Sequence, residues 1–159
     1  MRSFLFVVLL IALGSQAALA ASSTQGSTAL ALAALVGRNS PTLSWYSRSE
    51  LARLLDGHAT APYPAHRQIV VHADSIVCRA GNVDITVHGC TLKFGTKTTS
   101  LSGRAAHELF ATLLEVGVPG SGAAGTVYVG LTHLACTVDP HVIAQRGGGG
   151  ATCTFVPGP

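Results

Sequence analysis

Ile76-Val77-Cys78-Arg79-Ala80-Gly81-Asn82-Val83-Asp84-Ile85-Thr86-Val87-His88-Gly89-Cys90-Thr91-Leu92-Lys93-Phe94 is the stretch on which the reading of the fold turns. Val83, Ile85 and Val87 alternate with Asp84, Thr86 and His88, and Cys90, Leu92 and Phe94 alternate with Thr91 and Lys93. A period of two puts successive side chains on opposite faces, so these runs read as strands with one face buried. Gly81-Asn82, between the strand run Ile76–Arg79 and the run from Val83, is a two-residue hairpin signal. Working outward, Ile69–Val71 reads as another strand. Gly95 to Lys97 turns the chain and Thr98–Leu101 returns.

Helical spacing flanks this block on both sides. Ala106, Leu109, Phe110, Leu113 and Leu114 follow the i, i+3, i+4, i+7, i+8 pattern of one helix face, after a candidate N-cap at Ser102 and before a closing Gly117. This predicts the main amphipathic helix, about residues 103–116. Ser47-Arg48-Ser49-Glu50 has the form of a capping box, with Tyr46 and Leu51 as its hydrophobic staple. It predicts a short N-terminal helix, about residues 48–56, ended by Gly57 in the left-handed C′ position.

Beyond the main helix, Gly120 to Gly125 reads as a loop. Val127–Val138 reads as a long strand, with Gly130 as a bulge. Asp139-Pro140 is an N-cap and N1 pair opening a helical turn through Arg146. Gly147 to Gly150 reads as flexible, and Thr152–Val156 as a last strand. The spacings are too short for parallel crossovers. The expected class is therefore α+β, a small antiparallel sheet covered by the 103–116 helix.

The domain plan starts with an export signal. Met1-Arg2-Ser3 is a one-charge leader, Phe4–Leu13 is an unbroken apolar run, and Ala18-Leu19-Ala20 supplies small residues at the cleavage positions. Residues 1–20 are accordingly expected to be a signal peptide cleaved near Ala20. The apolar run is too short to cross a bilayer, which takes about 20 residues. Residues 21–43, rich in Ala, Ser, Thr and Gly, read as a flexible or weakly helical segment, a linker with room for a short helix at Ala29–Val36. Residues 44–159 read as one disulfide-stabilised domain.

Four cysteines, Cys78, Cys90, Cys136 and Cys153, are an even number in a chain with an export signal, and read as two disulfides. No close C-x₂-C pair suggests zinc. Sequential pairing, 78 with 90 and 136 with 153, closes the shorter loops. It conflicts with the Gly81-Asn82 turn, which places Cys78 opposite Ile85 and leaves Cys90 about 17 Å further on at 3.4 Å per residue. Either Gly89 bends the chain sharply, or the pairing crosses.

Composition excludes some functions. Without residues 1–20, nine basic side chains face seven acidic ones, a net charge of +2. The basic residues are scattered, so no nucleic-acid partner is expected. Gly120-Ser121-Gly122-Ala123-Ala124-Gly125 spells a dinucleotide fingerprint in the wrong context, helix before and strand after. Neither a nucleophile elbow nor an S-x-x-K motif occurs. Asp84 is expected to pair with Arg79 across the hairpin, and Glu50 to be engaged in its cap, which leaves few carboxylates for catalysis. The seven histidines include no H-x-H or H-x-x-x-H pair. His72, His88 and His133 fall on expected strands, His58, His66 and His141 in loops or turns, and His107 on the polar face of the main helix.

The resulting expectation is a secreted or periplasmic, non-catalytic binding or accessory protein with an unidentified protein or small-molecule partner. It has no assigned catalytic residue, cofactor or metal ligand and no stable membrane anchor. The alternatives are a small secreted hydrolase whose site forms no motif, and histidine-mediated metal binding. Mass spectrometry of the exported protein tests the leader. An N-terminus at Ala21 is expected, and Met1 retained in a membrane fraction contradicts it.

Overall fold

The computed structural model describes residues 20–57 and 67–158. Its elements run β1 (Ser22–Gln25), α1 (Gly26–Gly37), α2 (Trp45–Leu55), β2 (Ile69–Ala73), β3 (Ser75–Gly81), β4 (Val87–Phe94), β5 (Lys97–Leu101), α3 (Gly103–Glu115), β6 (Ser121–Ala123), β7 (Thr126–Val138), α4 (Pro140–Arg146) and β8 (Ala151–Pro157). A short 3₁₀ turn, Gly147–Gly150, precedes β8. The class is α+β, as the alternation indicates: among the described residues, eight antiparallel strands form one open sheet, with four helices.

The sheet is organised by one long ladder. β2 and β3 are nearly continuous, and together they pair with β7 from Ile69 opposite Val138 to Gly81 opposite Thr126 without a register slip. β4 and β5 extend the sheet beyond β3, and β8 and β1 extend it beyond β7. The buried set nevertheless changes phase midway. Ile69, Val71 and Ala73 face the core on β2, then Ile76, Cys78 and Ala80 on β3. Opposite them come Leu134, Cys136 and Val138, then Leu131 and Val129. Asp74-Ser75 and Thr132-His133 thus step out of the alternation together. This keeps the apolar set inward on both halves of the ribbon. The β7–β8 register shifts at the same place, between Leu131 and His133. The expected bulge therefore lies at Thr132 rather than at Gly130. Gly130 answers a different constraint: a Cβ there would stand 2.5 Å from the Ile76 carbonyl oxygen and 2.9 Å from that of Gly158.

Both disulfides join directly opposed residues on the core side of the sheet. Cys78 faces Cys90 across β3–β4, and Cys136 faces Cys153 across β7–β8, each with Cα atoms 4.0 Å apart. The pairing is sequential. The conflict over Cys90 dissolves because the turn is not the two-residue Gly81-Asn82 and because the β3–β4 register slips by one at His88, beside Gly89, between Arg79–Gly89 and Ala80–Val87. Residues 82–86 all lie outside the ladder, and the Gly81 amide donates to the Thr86 carbonyl. Val83 and Ile85, expected on a half-buried strand, are exposed loop residues. Asp84 does not pair with Arg79, because its carboxylate accepts from the Thr86 amide at 3.1 Å.

Helices α1 and α3 lie against the inner face. Cys90 Sγ is 3.4 Å from the Ala106 carbonyl of α3, and Cys153 Sγ is 3.4 Å from the Ala29 carbonyl of α1. Each helix thus rests on one disulfide. The expectation of one main covering helix needs correction here. Residues 26–37, read as part of a flexible or weakly helical segment, form a helix whose Ala29, Leu30, Leu32, Ala33, Ala34, Leu35 and Val36 are all buried. A helix that is apolar on every side shows no amphipathic stripe and belongs inside a core. β1, just before it, pairs with β8 and ties the segment into the sheet.

The short N-terminal helix is also longer than expected and starts earlier. Ser44, not Ser47, is its N-cap, accepting from the Ser47 amide at 3.1 Å. Tyr46 is then a helix residue half exposed to solvent rather than a staple, and Glu50 is buried and paired with Arg53 at 3.2 Å. Gly57 does take the left-handed position, with φ 72°. On α3, Leu109, Phe110 and Leu113 face the core as the spacing indicates, while Leu114 is exposed and Thr112 is buried in its place. The Ser102 side chain makes no capping bond. Asp139 caps α4 as expected, accepting from the His141 and Val142 amides. His58, His66 and the rest of residues 58–66, and residues 1–19, lie outside the described residues. Among the described residues no helix is long and apolar enough to cross a membrane.

If α1 is core, truncating its most buried large side chain has a core-sized effect. Leu32→Ala is expected to lower stability by about 2–5 kcal/mol in urea unfolding. A change within error of zero would return residues 26–37 to the status of a linker.

Candidate functional site

The most distinctive surface feature is the loop 82–86 between β3 and β4. The ladder sets its size: past Cys78–Cys90 and Arg79–Gly89 the register slips by one to Ala80–Val87, and residues 82–86 are left outside the pairing. Three bonds fix its shape. Gly81 N–H donates to the Thr86 carbonyl, Thr86 N–H donates to the Asp84 carboxylate, and Asn82 N–H donates to the Gly125 carbonyl. The Thr86 bonds to the Asp84 side chain hold its carboxyl below the usual carboxylate range. With Asp84 folded back over Gly81, the apolar neighbours point outward: Val83 is 93% and Ile85 62% exposed.

Ile85 also has φ 52°. A β-branched residue in the left-handed region is an outlier, because its Cβ crowds the backbone. The second hairpin, joined to this loop through Gly125, turns at Ala124 and Gly125, with φ 54° and 84°. Positive φ at both positions is the primed turn that suits a two-residue hairpin. The residues that spell G-x-G-x-x-G therefore form strand β6 and its turn into β7, not a phosphate cradle.

A second feature is a groove of about 690 Å³ between α1, the end of α2 and α3. Ala31, Leu35, Leu55 and Ala111 line it, together with Arg38, Arg104, His107 and Glu108. Its charges are turned on one another. Glu108 accepts from Arg104 Nε at 2.7 Å and from Arg38 Nη2 at 3.3 Å. The Arg104 bond, reinforced by Arg38, holds the Glu108 carboxyl low. The carboxylate next to His107 in the chain is thus a lock between α1 and α3 rather than a base.

The histidines separate. His107 lies on α3 and His88 on the exposed face of β4, while His141, in the first turn of α4, contacts Gln145 at 2.8 Å. His72 and His133 come together on the exposed face of β2 and β7, with ring centres 5.0 Å apart. Neither this pair nor the exposure of Val83 and Ile85 was drawn from the sequence. The two histidines are 61 positions apart in the chain and meet only through the register. Among the described residues no group of three or more His, Cys, Asp or Glu side chains is placed to hold a metal ion.

Comparison with protein-family models, with curated proteins and with solved structures finds no match to the chain. The functional reading therefore rests on the chain's own geometry.

The strain at Ile85 has a measurable consequence. Asn tolerates the left-handed region, so Ile85→Asn is expected to raise stability by about 1 kcal/mol. Lower stability in denaturant titration would show that Ile85 is held by packing instead.

Proposed function

We propose that the chain is an exported, disulfide-stabilised binding protein with no catalytic role, which grips a partner protein through the loop 82–86. The observation that carries this reading is Ile85, an exposed apolar residue held at φ 52°. Stability alone favours Gly, Asn or Asp at such a position and a polar side chain at such exposure. Strain persists where the surrounding structure over-determines it, and it collects at binding loops. Val83 and Ile85 together give a projecting aliphatic wedge on a loop of fixed shape, the form in which inhibitor-like proteins meet a cleft.

The leader at residues 1–20 and the two disulfides support a secreted or periplasmic setting. A hydrolase reading gains nothing from the described groove, where Glu108 is committed to Arg104 and Arg38.

Partner capture from culture or periplasmic extract tests the proposal, with the wild-type chain and Val83→Ser/Ile85→Asn as baits. Burying one aliphatic side chain contributes about 1.5–3 kcal/mol, so losing two should weaken a wedge-mediated complex by about 100-fold or more. Equal capture by both baits would remove the loop from the interface.

A further inference from the structure

The geometry points to a transition-metal site on the open face of the sheet, formed by His72 and His133 with Asp74 as the orienting carboxylate. The ladder pairs His72 with Ala135, so His133 is its diagonal neighbour across β2–β7. Diagonal pairs are within reach of long or aromatic side chains. Here the rings meet edge to face at 64°, with centres 5.0 Å apart. Two imidazoles bound to one tetrahedral ion through nitrogens about 2.0–2.1 Å from the metal have ring centres roughly 5 Å apart. The ring spacing present is within reach of a chelate, and turning the rings out of their edge-to-face contact would bring a nitrogen of each onto one ion.

Asp74 supplies the outer contact that histidine ligands normally have. Its Oδ1 lies 3.8 Å from His72 Nδ1, and its Oδ2 accepts from the Gly95 amide. The 3.8 Å gap is longer than a hydrogen bond; closing it to one on metal binding would favour the tautomer that leaves Nε2 to ligate. The phase change at Asp74-Ser75 and Thr132-His133 places the carboxylate on the same stretch of ribbon as both rings. The His72 side chain is half exposed, so water can complete the coordination. Two imidazoles and water suit Cu(II) and Zn(II), with Cu(II) the tighter, and do not suit Ca²⁺ or Mg²⁺. The site is separate from the loop 82–86 and stands or falls independently of the partner proposal.

The test is calorimetric titration of the full oxidised protein with Cu²⁺, Zn²⁺ and Mg²⁺ at neutral pH. One equivalent of Cu²⁺ is expected with a dissociation constant on the order of 10 µM or tighter, Zn²⁺ weaker and Mg²⁺ unbound. His72→Gln and His133→Gln, each keeping the wild-type melting temperature, should both abolish the site. Asp74→Asn should weaken it by about tenfold. His107→Ala on α3 should leave it unchanged. Absence of Cu²⁺ binding, or binding that survives both histidine substitutions, overturns the inference and leaves the pair as a plain edge-to-face contact.

Discussion

The ladder between residues 69–81 and 126–138 carries the architecture. Eleven pairs, Ile69–Ala73 and Ile76–Gly81 against β7, hold one register, and the places where the chain departs from ideal geometry are arranged to preserve it. At Asp74-Ser75 and Thr132-His133 both strands change phase together, so neither exposes its apolar set. At Gly130 the absence of a Cβ lets the Ile76 carbonyl approach. The flanking strands β4 and β8 are bonded covalently to the ribbon by Cys78–Cys90 and Cys136–Cys153. In the chain-entropy account each bridge contributes about 3 kcal/mol. Two such terms are comparable with the 5–15 kcal/mol by which a whole domain is stable.

A frame fixed in this way accounts for what lies at its margins. Strain at one residue persists only where neighbours prevent relaxation. The loop 82–86 leaves β3 a few residues past Cys78, returns to β4 shortly before Cys90, and is tied sideways to the β6–β7 turn. It therefore has little freedom to relieve Ile85. The same ribbon holds His72 and His133 at a fixed separation. Both surface features are consequences of register, and both lie away from the helices that fill the inner face.

Much of the fold was legible from side-chain period and turn chemistry. The core face of β4, the 103–116 helix, the Asp139 cap and the left-handed Gly57 all follow from local patterns, while the sequential pairing of the cysteines rests on loop length alone, against the two-residue turn read at Gly81-Asn82. Three errors share a physical origin. Val83, Ile85 and Val87 alternate as a strand would, but alternation reports a buried face only when a partner strand is present, and the disulfide register places 82–86 beyond the ladder. Residues 26–37 read as a linker with at most a short helix at Ala29–Val36, because an alanine-rich helix buried over most of its surface has no polar stripe to mark it as a core element. The cap of α2 was placed one turn late because Ser44 and Ser47 offer the same chemistry, and the outcome depends on where Leu51 and Leu54 meet α1. The histidine pair was beyond reach, since its proximity exists only in the ladder.

The central claim, that cross-strand disulfides on the core side bond β4 and β8 in register to the two halves of the ladder, is tested most directly by peptide mapping of the non-reduced protein. The account requires one linkage between Cys78 and Cys90 and one between Cys136 and Cys153, with no free thiol after denaturation. A crossed linkage, or four titratable thiols in the native protein, would contradict it.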